Sequence, residues 1–454
     1  MAGRKSELQY LEQLYRQSGN QILVLYGRKE NQGREFVQEF CQGKKSFYYC
    51  APEVSAKAQK TRMGREIAAY YQITLSEEDY DYYFKRIKSG DSSKLVLVIE
   101  EFQNILKRDV QFWESIVRLR DKKLYPGPVM IILCSTDIPW TEQELPKVLG
   151  TTGKKLSGIL KVHDLQFVDA AQYFAGYTLR QNVEVYGILG GKPEYLAKWD
   201  VSRDVKYNVC THILSQDGCF HDIAEKTIRS QLRELSVYHT ILEAVASGKR
   251  KLNELYKETG FSRAKISVYL KNLMAFDVVE KVSSFETGGW ENAQKGLYQI
   301  KDTYINFWFK FVYPHLSDLY RMEPEEFYGR YIGGELESYL TPYFVKVCME
   351  YLRFLDGAHK LPLQIHKMGT WVGKRGNIDI IAQNSVRENL IGLCNWTEPE
   401  MTFEMCQQLF ASMEQAKVTA SFYYLFTAKS FDEKLVKMVS KDARIFLVDM
   451  NRVI

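Results

Sequence analysis

No run of apolar residues in this 454-residue chain comes near the roughly 18 that a membrane-spanning helix requires. The longest, Leu95–Ile99 and Val129–Leu133, are strand-sized. The opening residues, MAGRKSELQY, carry early cations with no apolar stretch behind them, which argues against a secretory leader and predicts a cytoplasmic protein. Eight cysteines (Cys41, Cys50, Cys134, Cys210, Cys219, Cys348, Cys394, Cys406) stand without a CxxC pair or an accompanying histidine cluster. That distribution speaks against a disulfide framework and a zinc site, and for a reducing compartment. Low-complexity linkers and internal repeats are missing as well. So is a strong charge of one sign: 61 basic against 56 acidic residues leave +5, which permits a polyanionic partner without demanding one.

What is there is ordinary globular chemistry, 45% hydrophobic and 26% charged residues, in a chain long enough for about three domains. Apolar residues at helical spacing over Glu7–Tyr15 precede the strand-like run Gln21–Tyr26, a glycine turn, and a second amphipathic stretch, Glu35–Cys41. Ser46–Ala51, Lys94–Ile99 and Pro128–Cys134 supply further apolar runs separated by helical segments. Strands alternating with helices predict a parallel α/β sheet, whose ligands bind beyond the carboxyl ends of the strands, here after Tyr26, Ile99 and Cys134. Beyond about Leu156 the pattern becomes helical and is broken at Tyr186–Leu196 by Gly190, Gly191 and Pro193. From Tyr238 come three helical stretches and then two short strand-like runs, Val278–Ser283 and Gly296–Ile300, the order of a winged helix. After a helix around Gly334–Leu352, the strand-like runs LQIHKM, NIDIIAQ, NLIGLCNW, FYYLFTA and ARIFLVDM predict a second α/β domain.

Gly27–Phe36 (GRKENQGREF) lies where a phosphate-binding loop would, after a strand and before a helix. A loop of the form G-x-x-x-x-G-K-[ST] needs glycines so that its backbone can wrap phosphates, a lysine for their charge, and a hydroxyl for magnesium. Aligned from Gly27 without a gap, Gln32 stands at the second glycine, Gly33 at the lysine and Arg34 at the hydroxyl. Slipped by one, Gly33 and Arg34 fill the glycine and lysine positions and Glu35 replaces the hydroxyl. Either register loses the magnesium ligand, and an ordinary strand-helix turn is the competing reading. Glu100 and Glu101 follow the strand Lys94–Ile99, where one carboxylate would hold a nucleotide's magnesium and the next would orient the attacking water. Ser135, Thr136 and Asp137, after the strand ending at Cys134, put small polar groups beside them, compatible with sensing a γ-phosphate.

GRKSELQYLEQLY, QILVLYGRKENQGREF, LVLVIEEFQ, IILCSTD, YGILGGKPEYL and DTYINFWFKFVYP, in that order over nearly the whole chain, resemble the prokaryotic archaeal-type ATPase family. Its members resemble AAA+ and STAND P-loop ATPases joined to a winged helix and a restriction-endonuclease-like domain. The resemblance implies an α/β, P-loop NTPase-like parallel sheet at 1–155, a helical lid at 156–235, a winged helix at 236–315 and a nuclease-like α/β domain at 316–454. It also implies ATP and magnesium as cofactors, with Gly27, Gln32, Gly33, Arg34, Glu35, Glu100 and Thr136 around the nucleotide and Glu101 as the catalytic carboxylate. The family carries a GKT-type loop and an Asp-Glu pair, and this chain departs at both, with Gln32, Gly33 and Arg34 in the loop and Glu100 as the first acid.

In the winged-helix stretch, SRAKISVYLKNLMAF presents Arg263, Lys265, Ser267 and Lys271 away from an apolar stripe of Ile266, Leu270, Leu273 and Met274. A recognition helix offers cations to duplex DNA in this way, and so does an ordinary solvated helix face. The wing, Ser283–Lys295, adds Trp290 and Lys295 with Glu286 and Glu291. The C-terminal part resembles the PD-(D/E)xK nuclease fold, with Glu337 and Asp379 at its helix and strand acids. In GLCNW, Leu393 and Asn395 occupy the positions of the E-x-K acid and lysine, so a nuclease metal site would lack a ligand and its charge partner. Three functions stay open: a nucleotide-responsive or scaffolding regulator with little or no hydrolysis, an ATPase working through Arg34 with Glu100 and Glu101, and a DNA-binding regulator. The partners to expect are duplex DNA or another protein, and no membrane.

Overall fold

The structure, a computed structural model, describes residues 3–87, 93–125, 127–286, 296–373 and 376–453. The chain is mixed α/β and divides into two compact units, Met1–Leu165 with Lys192–Tyr195, and Gln166–Gly191 with Leu196–Ile454. No helix among the described residues is long and apolar enough to cross a membrane.

The first unit is built on five parallel strands, β1 (Gln21–Gly27), β2 (Ser46–Cys50), β3 (Leu95–Glu100), β4 (Val129–Ser135) and β5 (Gly158–Val162), in the spatial order β2-β3-β4-β1-β5. Its central strands read as unbroken apolar runs because both faces of the sheet are covered. Ile22 and Val24 of β1 pack with Leu97, Ile99, Ile131 and Leu133 on one face. Leu23 and Leu25 pack with Val96, Val98, Met130 and Ile132 on the other. Helices α1 (Lys5–Arg16) and α2 (Gly33–Cys41) cover the second face with Leu11, Leu14, Phe36, Val37 and Phe40. Helices α3 (Ala56–Tyr71) and α4 (Gln111–Arg120) cover the first with Met63, Ile67, Phe112, Trp113, Ile116 and Leu119.

From β1 the chain crosses to the far edge, returns through β3 to β4 beside β1, and then places β5 on β1's other flank. The connections therefore diverge at β1, and its carboxyl end is the crevice where a parallel sheet accepts a ligand. β5 lies past Leu156, in the segment expected to be helical. It is a short edge strand with half-exposed residues, so it lacks the continuous apolar run that marks the buried strands. The close approach of β5 to β1 needs Gly27, where a Cβ would lie 2.6 Å from the Val162 carbonyl oxygen.

In the second unit, helix α5 (Leu179–Leu189) begins with a capping box between Thr178 and Gln181 and stops at Gly190, whose φ is 74°. Helices α6 (Leu235–Ala246), α7 (Leu252–Thr259) and α8 (Arg263–Ala275) follow, turned by Gly248 and Gly260 at positive φ. The antiparallel pair β6 (Val279–Val282) and β7 (Leu297–Ile300) comes next. Trp290, Glu291 and Lys295 of the expected wing lie outside the described residues. The aromatic stretch after Asp302 is helical and buries Tyr304, Phe307, Trp308, Phe309 and Phe311.

Helix α9 (Leu336–Gly357) leads into a mixed sheet of β8 (Lys367–Val372), β9 (Asn377–Gln383), β10 (Asn389–Asn395), β12 (Phe422–Thr427) and β14 (Ile445–Asp449). A small parallel pair, β11 (Glu400–Met401) and β13 (Ser430–Phe431), flanks it. The order is β14-β12-β10-β9-β8, antiparallel through β8, β9 and β10 and parallel from β10 outward. The first strand of this sheet begins later than LQIHKM suggested, at Lys367.

Candidate functional site

A cavity of about 490 Å³ opens in the first unit at the carboxyl ends of β1, β3 and β4, lined by the loop after Gly27, by Glu100 and Glu101, and by Ser135 and Thr136. The loop leaves β1 at Gly27, makes a single 3-10 turn over Lys29–Asn31, passes through Gln32 in the left-handed region (φ 53°), and enters α2 at Gly33. Two buried side chains hold it from behind. Asn31 Nδ2 donates to the Val162 carbonyl at 3.0 Å, and Arg4 Nη2 donates to the Asn31 carbonyl at 3.2 Å while pairing with Glu7 at 3.0 Å. Neither Arg4 nor Asn31 stands out in the sequence, since each works through a neighbour's backbone. The Gln32 side chain makes no cap hydrogen bond. The first-turn N–H groups of α2 have no acceptor within the helix and carry the positive end of its dipole, an arrangement suited to an anion.

The sequence-predicted residues Gly27, Gln32, Gly33, Arg34, Glu35, Glu100, Glu101 and Thr136 all line this one cavity, together with Arg28, Lys29 and Glu194, which the sequence reading did not single out. Lys29, a cation inside the glycine-flanked loop, was the available signal. Arg34 Nε donates to Glu100 Oε2 at 2.6 Å; the Glu100 side chain is 7% exposed and that of Arg34 50%. Burial works against the Arg34 charge, and the hydrogen bond and charge of Glu100 outweigh it, so the guanidinium is held above its ordinary pKa. For the Tyr48 phenol burial acts in the opposite sense, pushing its pKa up, and the Glu100 carboxylate adds to the rise. Glu101 sits at φ 51° and receives Thr136 Oγ1 at 3.0 Å and 2.9 Å on its two oxygens, with Gln103 Nε2 donating to the second. These two donors orient the carboxylate and occupy part of its acceptor capacity.

Nucleotide phosphates fit this donor set of α2 amides with Arg28, Lys29 and Arg34 beside them. Magnesium does not. The first turn of α2 offers Gly33, Arg34 and Glu35 and no hydroxyl, and the carboxylate that would face the ion already holds a guanidinium. No group of three or more His, Cys, Asp or Glu among the described residues could hold a metal ion.

The other predicted residues lie in the second unit. Arg263, Lys265 and Lys271 are exposed on α8, while Ile266, Leu270 and Leu273 are buried. Arg263 donates to Asn253 Oδ1 at 2.5 Å and stacks 4.1 Å from the Tyr256 ring, and Lys265 lies over Phe261 at 4.9 Å. Part of the expected wing is not free: Phe285 is buried against Trp371 and Ile378, and its N–H donates to the Thr370 carbonyl at 2.8 Å. Glu337, in the first turn of α9, accepts from Arg180 at 3.0 Å and from Lys429 at 3.1 Å. Burial would raise its carboxyl, but the bonds to these two cations hold it below the ordinary value. Asp379 on β9 is in the opposite condition: burial pushes it up to about 6, and the Cys394 N–H, at 2.9 Å, offsets this only in part. Asn395 is buried and donates to the Glu398 carbonyl at 3.0 Å and to Thr427 Oγ1 at 3.3 Å.

Among solved structures, the chain is similar to a Walker-type ATPase of Pyrococcus abyssi (14% identity, 68% of this chain and 96% of the other, TM-score 0.46). It is also similar to the ORC2 protein of Aeropyrum pernix (11% identity, 70% and 94%, TM-score 0.43). An uncharacterized protein of Methanocaldococcus jannaschii, MJECL04, is 26% identical over 387 residues, 84% of each chain. Residues 308–415 match the family described as archaea bacterial proteins of unknown function.

Proposed function

We propose that the first unit is a P-loop-type nucleotide-binding domain that turns its ligand over slowly or not at all, and that the chain acts as a nucleotide-responsive regulator. The observation that carries this reading is the cavity at the switch point of the sheet, with an uncapped helix start on one wall and the Arg34–Glu100 pair on another. A general base for water needs a free lone pair within hydrogen-bond reach of the proton it takes. Glu101 shares the single hydroxyl proton of Thr136 between its two oxygens and accepts Gln103 Nε2 on one of them, so part of its acceptor capacity is committed to the protein and the slow turnover rests chiefly on the missing loop lysine and hydroxyl. On this reading 1–155 forms the nucleotide-binding core, extended by β5, and 156–235 a helical lid. Residues 236–315 form a winged helix and 316–454 a nuclease-like domain without nuclease activity. Titration of the purified chain with a fluorescent ATP analogue tests the proposal: saturable binding is expected, with phosphate release no greater than that of Glu101→Gln. A flat isotherm at millimolar nucleotide removes the nucleotide part and leaves a scaffold; release well above that of Glu101→Gln makes the chain an ATPase with an atypical loop.

A second reading, contact with duplex DNA through α8, is favoured by the exposed and positioned cations Arg263 and Lys265.

A further inference from the structure

We propose that the Arg34 guanidinium has taken the place of the divalent cation against Glu100, so that the cavity accepts a nucleoside di- or triphosphate as the metal-free anion. The inference rests on the nucleotide reading above and goes beyond it, because it names the form of the ligand. A carboxylate as buried as Glu100 has to be neutralised or given a positive partner. In a magnesium-dependent site that partner arrives with the ligand. Here it is covalently part of the chain, at 2.6 Å, and an arginine stays charged across the working pH range.

The geometry leaves this cation able to serve a ligand as well. A guanidinium has five N–H donors. The Nε–H goes to Glu100, and Nη2 lies 3.7 Å from Cys50 Sγ at the exposed side. The side chain is half exposed and lines the cavity, so further donors of its planar fork can meet phosphate oxygens, a pairing that arginine geometry favours. Lys29 and the first turn of α2 line the same cavity. A magnesium ion brought in on a nucleotide would meet a fixed positive charge where it needs an acid, and it would find no hydroxyl in the first turn of α2. The chelated ligand is therefore disfavoured and the free anion preferred.

Calorimetric titration of the full chain with ADP and with ATP, each in EDTA and in excess magnesium, tests this. The variants are Arg34→Ser, which removes the cation and supplies a hydroxyl, and Arg34→Lys, which keeps the charge; melting curves confirm that both fold. Wild type and Arg34→Lys are expected to bind in EDTA at least as tightly as with magnesium. Arg34→Ser is expected to lose about tenfold in EDTA, near 1.4 kcal/mol, and to recover it when magnesium is added. Binding by the wild type only with magnesium overturns the inference while leaving the nucleotide reading intact, and so does an Arg34→Ser affinity that ignores the metal. Binding of neither nucleotide under either condition overturns the underlying reading and this inference with it.

Discussion

Lys429 donates from Nζ to Glu337 Oε1 at 3.1 Å and to the Thr397 carbonyl at 2.6 Å, so a lysine just past β12 holds the helix carboxylate that a nuclease would commit to metal. The first unit solves the same problem with Arg34 on Glu100. In both places a side-chain cation stands against an acid that the family resemblance assigns to an ion. The Glu337 carboxyl is held below its ordinary value, so the associated stability is present above the unfolded-state value and is lost as pH falls through the folded one. Because Glu337 is 40% exposed, solvent screens the pair, and Lys429→Met is expected to lower stability at pH 7 by at most about 1 kcal/mol. Urea unfolding at pH 7 and near pH 3 checks it: the loss should shrink at the acid end, and equal losses at both would sink the assignment.

Asp379 gives the opposite sign. Its carboxyl is raised from 3.8 to about 6 in the folded chain, so folding favours the protonated form. That contribution is present below the unfolded value and is lost as pH rises through about 6. Asp379→Asn keeps an acceptor for the Cys394 N–H and removes the buried charge. It is expected to stabilise the chain at pH 8 by on the order of 1–2 kcal/mol, after discounting for the partial exposure of the residue, and to leave stability at pH 4 unchanged. Thermal unfolding of both proteins at the two pH values measures the difference, and a gain that persists at pH 4 would rule out ionisation as its source.

Gly27 and Gly33 look alike as loop glycines but should respond differently to alanine. A Cβ at Gly27 meets the Val162 carbonyl at 2.6 Å, a backbone atom fixed in the neighbouring strand, whereas at Gly33 the nearest atom is Leu25 Cδ2 at an ordinary 3.5 Å. Gly27→Ala is expected to cost about 1–3 kcal/mol by forcing β1 from β5. Gly33→Ala is expected to fall within about 0.5 kcal/mol of wild type. Denaturant midpoints decide it, and a Gly27→Ala midpoint equal to that of wild type would contradict the steric account.

The strands and the site were legible in different degrees for a physical reason. β1, β3 and β4 are buried on both faces and announce themselves as apolar runs, and their ends then point to Glu100, Glu101 and Thr136. β5 has one neighbour and half-exposed residues, so its sequence carries no such run. The pairings that define the sites join residues far apart in the chain: Arg34 to Glu100 across 66 positions, and Lys429 to Glu337 across 92. Spacing within a motif cannot reveal them. Sequence reading leaves Arg34 at the hydroxyl position of the loop or, slipped by one, at its lysine position; the fold shows which acid it pairs with.

On α8, Arg263, Lys265 and Lys271 are exposed. Arg263 is braced by Asn253 and the Tyr256 ring, and Val268, elsewhere on the same helix, is 58% exposed, an apolar group outside the core. If this face meets duplex DNA, each lost phosphate contact should lower the steepness of the salt dependence by about 0.9 in log–log slope. Arg263→Ala, Lys265→Ala and Lys271→Ala should each weaken retardation of a duplex at low salt, while substitutions in the first unit's cavity leave the slope as it was. The combined triple variant should bring the slope down by about 3 if all three reach phosphates. Fluorescence anisotropy with a labelled duplex over a salt series gives the number. A wild-type protein that does not bind at low salt, or a triple variant with an unchanged slope, removes α8 as a DNA-contacting surface and turns attention to its exposed face as a contact for another protein.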